Sequence, residues 1–254
     1  MEWTWEIIII VVAGGFVAAF VDAVVGGGGL IAVPTLLAAG LPPHLALGTN
    51  KLAGSMASLT STLTFMRSGY VDWRMTGKLI PLTAIGAVSG ALLLQQVPSD
   101  WMRPLIVVML IVVTLYTLLK RDWGVIRGEA RKLTKAGALG LAAAALLLGG
   151  YDGFFGPGTG SFLIFTFLLL GLDFVQAAGN AKLLNFTSNV SALIVFLALG
   201  QVAFSIGLLM GVSMVAGSLA GSRVAIRQGS RYVRVLFVTV SVLLITRQIW
   251  TMVG

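Results

Sequence analysis

Four ionisable residues inside apolar stretches hold most of the chemistry this 254-residue chain offers: Asp22, Lys51, Asp152 and Lys182. They come in two sets. Asp22 is followed by Gly26-Gly27-Gly28-Gly29 and then Thr49-Asn50-Lys51; Asp152 is followed by Gly156-Pro157-Gly158-Thr159-Gly160 and then Asn180-Ala181-Lys182. An ammonium at the centre of a bilayer costs about 2.5–3.5 kcal/mol on insertion scales, so a lysine there marks a functional site by default. Its neighbours suit an anion. Lys51, Ser55, Ser58 and Thr62 are spaced four, three and four apart, and Lys182, Asn185 and Asn189 three and four, so each series shares one helix face. Hydroxyl and amide groups donate hydrogen bonds to oxyanions, and an ammonium adds the opposite charge. Glycine breaks expose backbone N–H groups, and a helix starting after one points its positive end at an anion. The expected substrate contacts are therefore Asn50, Lys51, Ser55, Ser58, Lys182, Asn185 and Asn189, with Gly27, Gly28, Gly158 and Thr159 from the breaks. Asp22 and Asp152 would balance the lysines when the site is empty, or carry a coupling proton. The plainer reading is that each lysine pairs with an aspartate to pin helices together, and that the glycines serve close packing or a hinge.

Composition says what kind of molecule must position these groups. The chain is 57% hydrophobic and 10% charged, with mean hydropathy +0.98. Soluble domains carry about 25% charged residues, so this is a polytopic membrane protein. The absence of cysteine excludes disulfides and thiolate metal sites. The single histidine, His44, leaves no histidine-built metal site, and its place in the Pro42-Pro43 turn reads as a loop. No metal or cofactor is expected. An intramembrane hydrolase built on Ser161 would lack a base, so an enzyme is not expected either. Tyr151, Phe154 and Phe155 read as packing. The net charge of +8 does not point to nucleic acid, because the basic residues gather in a few loops between apolar runs. Loops of that kind lie against anionic membrane lipids. Glu2 and Glu6 precede the first apolar run without a basic residue, so 7–25 reads as a retained span rather than a cleaved leader.

The chain repeats itself. A shift of 131 takes Lys51 to Lys182, Gly69 to Gly200, Gly86 to Gly217 and Gly90 to Gly221; before the glycine break the shift is 130, taking Asp22 to Asp152 and Gly26 to Gly156. We read 1–125 as a first repeat, 126–135 as a basic cytoplasmic linker and 136–254 as a second repeat. Each repeat divides into five apolar segments: 7–25, 28–41, 43–66, 76–95 and 101–120, then 136–152, 158–172, 174–197, 203–222 and 235–253. The second of each set is short and glycine-led. Three basic clusters sit between segments: Arg67, Arg74 and Lys78; Lys120 to Lys135; and Arg223, Arg227, Arg231 and Arg234, the last read as a loop. Positive loops face the cytoplasm, and the repeat partners of these loops are not basic. Equivalent loops thus face opposite sides. The expected fold is an all-α polytopic membrane protein of two inverted repeats of about five membrane segments each, with ten crossings. Eight spans with two re-entrant loops is the alternative. All six tryptophans fall near segment ends, as interfacial belts require.

Four stretches resemble the sulfite exporter TauE/SafE family, also called the 4-toluenesulfonate uptake permeases. They are Asp22-Ala-Val-Val-Gly-Gly-Gly-Gly, Gly48-Thr-Asn-Lys-Leu, Tyr151-Asp-Gly-Phe-Phe-Gly-Pro-Gly-Thr-Gly-Ser-Phe and Ala181-Lys-Leu-Leu-Asn-Phe-Thr-Ser-Asn. The resemblance implies a multi-pass permease of the bacterial inner membrane, for sulfite, organosulfonates or related sulfur oxyanions, driven by ion gradients. Its partners would be a small anionic solute, a coupling proton or other ion, and membrane lipids, with the oligomeric state open. The first glycine motif lacks the Pro-Gly-Thr of the second. An anion channel of the same architecture, or a membrane protein without transport activity, remains the alternative.

Overall fold

The computed structural model describes residues 4–119 and 134–253. Among them every regular element is helical: α1 (Trp5–Val25), α2 (Gly29–Ala38), α3 (Pro43–Arg67), α4 (Trp73–Thr76), α5 (Ile80–Leu94), α6 (Ser99–Leu119), α7 (Lys135–Phe154), α8 (Thr159–Leu169), α9 (Phe174–Ala198) and α10 (Phe204–Val253). A 3₁₀ turn at Gly77–Leu79 joins α4 to α5. Most of the basic linker, with Trp3 and Trp123, lies outside the described residues.

Local chemistry sets the helix ends. Thr4 accepts the N–H of Ile7 at the start of α1, and Asp173 accepts those of Val175 and Gln176 at the start of α9. α3 begins on Pro43, whose missing N–H is harmless in a first turn. His44 therefore belongs to that first turn rather than to a loop. α1 stops at Gly26, whose φ of +83° suits only glycine and lets its N–H reach Asp22 O. α2 and α8 have 10 and 11 residues, about 15–17 Å of helix, well short of a hydrocarbon core of about 30 Å.

Among the described residues, five helices are long and apolar enough to cross a membrane: Trp5–Val25, Trp73–Leu94, Gly137–Phe154, Phe174–Ala198 and Phe204–Gln228. The molecule's outer faces carry large apolar side chains, among them Leu139, Leu147 and Val212, each about two-thirds exposed or more. Its interior holds Thr49, Lys51, Asp152, Asn180 and Lys182, all at most 2% exposed. Apolar outside and polar within is the pattern of a protein solvated by lipid.

A second expectation fails. The basic stretch 223–234 is not a loop: α10 runs through it unbroken from Phe204 to Val253. Arginine is a good helix former, and the single Gly229 is too weak a breaker to end a helix. Basic residues located the charge there but not a turn.

Several glycine contacts recur under the shift seen in the sequence. Gly86 lies against the carbonyl of Leu146 and Gly90 against that of Gly150; one repeat away, Gly217 lies against Phe16 O and Gly221 against Phe20 O. Gly48 touches Gln201 O, and its equivalent Gly179 touches Tyr70 O. Each half therefore packs its helices onto the other half in the same register. From these contacts α1 runs parallel to α10, and α7 parallel to α5. α3 and α9, equivalent by sequence, run antiparallel: Gly54 meets Asn189 while Gly48 meets Phe196.

Candidate functional site

The site forms where the two glycine breaks meet. Ser161 donates its N–H to Gly26 O at 3.1 Å and its hydroxyl to Val25 O at 2.8 Å, tying the start of α8 to the end of α1. A methyl group on Gly26 would collide with the backbone of Gly160, and one on Gly29 would press on Pro157. Tyr151 donates its hydroxyl to Pro157 O at 2.6 Å and packs edge-on against Phe155 and Phe162. The aromatic cluster thus braces the second break.

Both lysines reach across to the other half. Lys51 Nζ, on α3, is 2.9 Å from Asp152 Oδ2 on α7, and Lys182 Nζ, on α9, is 2.6 Å from Asp22 Oδ2 on α1. The pairs differ in quality. Lys182 donates a hydrogen bond to Asp22, whose other oxygen accepts the N–H of Gly28 at 3.3 Å. Lys51 and Asp152 are close enough to attract but not aligned as a hydrogen bond, and neither Lys51 Nζ nor Asp152 Oδ2 has a hydrogen-bond partner among the described residues. Asp22 keeps 20% exposure, whereas Asp152 keeps 2%. Buried ions are costly to desolvate, and each survives here because its partner is present.

Between the pairs and the breaks lies a small cavity of about 40 Å³, lined by both aspartates, Gly28, Gly158, Asn50, Asn185 and Asn189. A water needs about 10–15 Å³ on this measure, so roughly three would fit. α2 and α8 both begin at its wall, so their positive ends face it, although most first-turn N–H groups are spent on nearby carbonyls, Leu30 on Gly27 O, Thr159 on Gly156 O and Ser161 on Gly26 O among them. Among the described residues the side-chain amides of Asn50 and Asn185 make no hydrogen bond within the protein, while Asn189 donates to Asn185 O at 2.8 Å.

The expected contacts thus divide. Asn50, Asn185, Asn189, Gly28 and Gly158 line the cavity with the two carboxylates. Lys51 and Lys182 stand behind it, held by Asp152 and Asp22. Ser55 donates to Lys51 O, Ser58 to Gly54 O, and Thr159 to Gly156 O, so these hydroxyls are turned to nearby backbone and away from the cavity lining. Gly27 lies outside the lining as well, with only Leu30 and Val21 near the place a side chain would take. Sequence reasoning missed Thr49 and Asn180. Thr49 Oγ1 accepts the N–H of Ala203 at 2.9 Å, and one repeat away Asn180 Oδ1 accepts that of Asp72 at 2.9 Å. Both open the lysine motifs, and their equivalence under the shift of 131 was the available signal.

The family model described as "Sulfite exporter TauE/SafE" matches residues 11–247. The chain is 41% identical to a "Probable membrane transporter protein ORF9" of Sinorhizobium sp, over 91% of its own length and 88% of that protein's. It is 38% identical to the "Probable membrane transporter protein YfcA" of Escherichia coli (strain K12), over 88% and 82% of the two chains. Against a "Probable membrane transporter protein" of Haemophilus influenzae it is 34% identical over 96% and 95%. No solved structure matches the chain. These relatives are named as transporters and not as enzymes. With its apolar helices and a match across nearly the whole length, the chain is a multi-pass bacterial membrane protein that belongs to the sulfite exporter TauE/SafE family of membrane transporters.

Proposed function

We propose that the chain is a secondary transporter for a small oxyanion of the sulfite or organosulfonate class, and that the central cavity is its binding site. The observation that carries this is a polar cavity bounded by two helix N-termini and unpartnered asparagine amides inside an apolar helical molecule. The amides of Asn50 and Asn185 supply side-chain donors, and the positive ends of two helices favour negative charge, as an oxyanion requires. The volume suits a compact anion. The antiparallel course of α3 and α9 supports the inverted-repeat reading, in which the two halves rock around a site near the midplane.

Charge balance supports proton coupling. Two ammonium groups and two carboxylates sum to zero, so an entering anion leaves one negative charge uncompensated where the dielectric is low. A proton on Asp22 or Asp152 restores neutrality and frees the paired lysine for the anion. The lysines then act after the carboxylate releases them, not as standing ligands.

Uptake of labelled sulfite into proteoliposomes tests this. Saturable uptake that an inward proton gradient accelerates is expected, with at least about tenfold loss when both lysines are replaced by alanine, as for removal of charge-assisted hydrogen bonds. Full activity in that double variant would reject the site. Flux that neither saturates nor responds to the gradient would favour a channel.

A further inference from the structure

A second cavity, about 290 Å³ in volume, lies between the C-terminal turn of α3 and the middle of α10. Thr64, Arg67, Leu219, Arg223, Ile226 and Arg227 line it. Its three arginines are exposed, and both ion pairs among the described residues lie elsewhere. Thr64 gives its hydroxyl to Thr60 O, so the polar donors facing the cavity are the three guanidinium groups and the hydroxyl of Ser68, which also lines it. Leu219 and Ile226 are half-buried and form an apolar wall beside them.

The duplication supplies an internal control. Shifting by one repeat takes Arg67 to Ala198, and takes Arg223 and Arg227 back to Leu92 and Gln96. α9 and α5 pack as α3 and α10 do, yet without a single charge at these positions. The fold therefore does not need the arginines. Arg67 ends a helix, where a cation is favoured by the helix dipole; Arg223 and Arg227 sit far inside α10, where the dipole gives no reason for them and the bias of basic residues toward the cytoplasmic face places them near headgroups.

We propose that this cavity binds the phosphate of an anionic phospholipid, with Leu219 and Ile226 against the glycerol and upper acyl carbons. Guanidinium forks match phosphate oxygens two at a time. A basic pocket between membrane helices beside apolar side chains fits a headgroup and the start of its tail. A free phosphate would use the arginines and leave the apolar wall unoccupied. This lipid site is independent of the anion proposed for the central cavity.

The test is native mass spectrometry of the delipidated full chain with phosphatidylglycerol, phosphatidylcholine or inorganic phosphate. Phosphatidylglycerol is expected to bind in preference to phosphatidylcholine and to stay bound when inorganic phosphate is added in excess. Replacing Arg67, Arg223 and Arg227 together by alanine should weaken it roughly a hundredfold, from the summed attraction of three charges. Equal binding of the two lipids, or unchanged affinity in the alanine variant, would overturn the proposal. Displacement of the lipid by phosphate would overturn it in favour of a soluble-anion site. A triple lysine variant guards against misfolding: it should keep the preference and lose it as salt is raised, and a salt-insensitive preference would also overturn the proposal.

Discussion

The two lysine–aspartate pairs occupy equivalent places in the two halves, yet they are not equally made. Lys182 and Asp22 are hydrogen-bonded, and Asp22 has a second donor in Gly28 and some exposure to the cavity. Lys51 and Asp152 attract each other without an aligned bond, and Asp152 is almost sealed. The difference follows from the breaks. In the first, Gly28 has φ of -58° and its N–H reaches Asp22; in the second, its counterpart Gly158 follows Pro157 with φ of +88°, and no backbone N–H is hydrogen-bonded to the Asp152 carboxylate among the described residues. Near-symmetry of helices thus coexists with asymmetry of charge support, and the pair around Asp22 is the one open to water.

The most damaging way to break this arrangement is to fill the contact between the breaks. Gly26→Ala must fail on two counts, a positive φ and collision with Gly160, and should leave no stable protein, a loss above about 4 kcal/mol. Gly27→Ala, next door, meets nothing closer than 3.9 Å and should purify with a melting temperature near the parent's. Size-exclusion profiles and thermal melts in detergent compare them directly.

Next in size is the contrast between the pairs. Lys51→Ala strands a carboxylate with almost no access to water and should cost about 3–5 kcal/mol. Lys182→Ala leaves Asp22 its backbone donor and its access to the cavity, and should cost about 1–3 kcal/mol. Adding Asp152→Ala to the first variant should recover most of the loss. Equal melting temperatures for the two single variants would mean that the asymmetry has no energetic weight.

The smallest contrast is between the residues that seat the loops. Asn180 accepts from Asp72 N and Thr76 Oγ1 and donates to Gln176 O, whereas among the described residues the Thr49 side chain accepts from Ala203 N alone. Asn180→Ala should cost about 2–3 kcal/mol and Thr49→Ala about 1 kcal/mol, each read from the melting temperature.

Much of this architecture could be read from residue types. The shift of 131 located glycines that prove to be contacts with carbonyls of the other half, and apolar runs located the helices, including the two short ones. The cross-pairing of Lys51 with Asp152 was not legible, because partner choice depends on how the halves interlock and not on spacing along either. Ser55 and Ser58 share the lysine's helix face, but hydroxyls within helices can satisfy themselves on the carbonyl one turn back. Face alone did not reveal that. The arginines of α10 misled in the other direction, since charge says where water or headgroups lie and nothing about whether the backbone turns.

The exchange of partners between halves has a consequence for assembly. Neither half holds a complete pair: each supplies one cation and one anion whose mates lie on the other. Either half alone would leave both of its charges without their mates in an apolar interior, where an unpaired ion is costly. Carrying both halves in one chain brings the mates together at a fixed one-to-one ratio, so each ion is neutralised as the halves interlock.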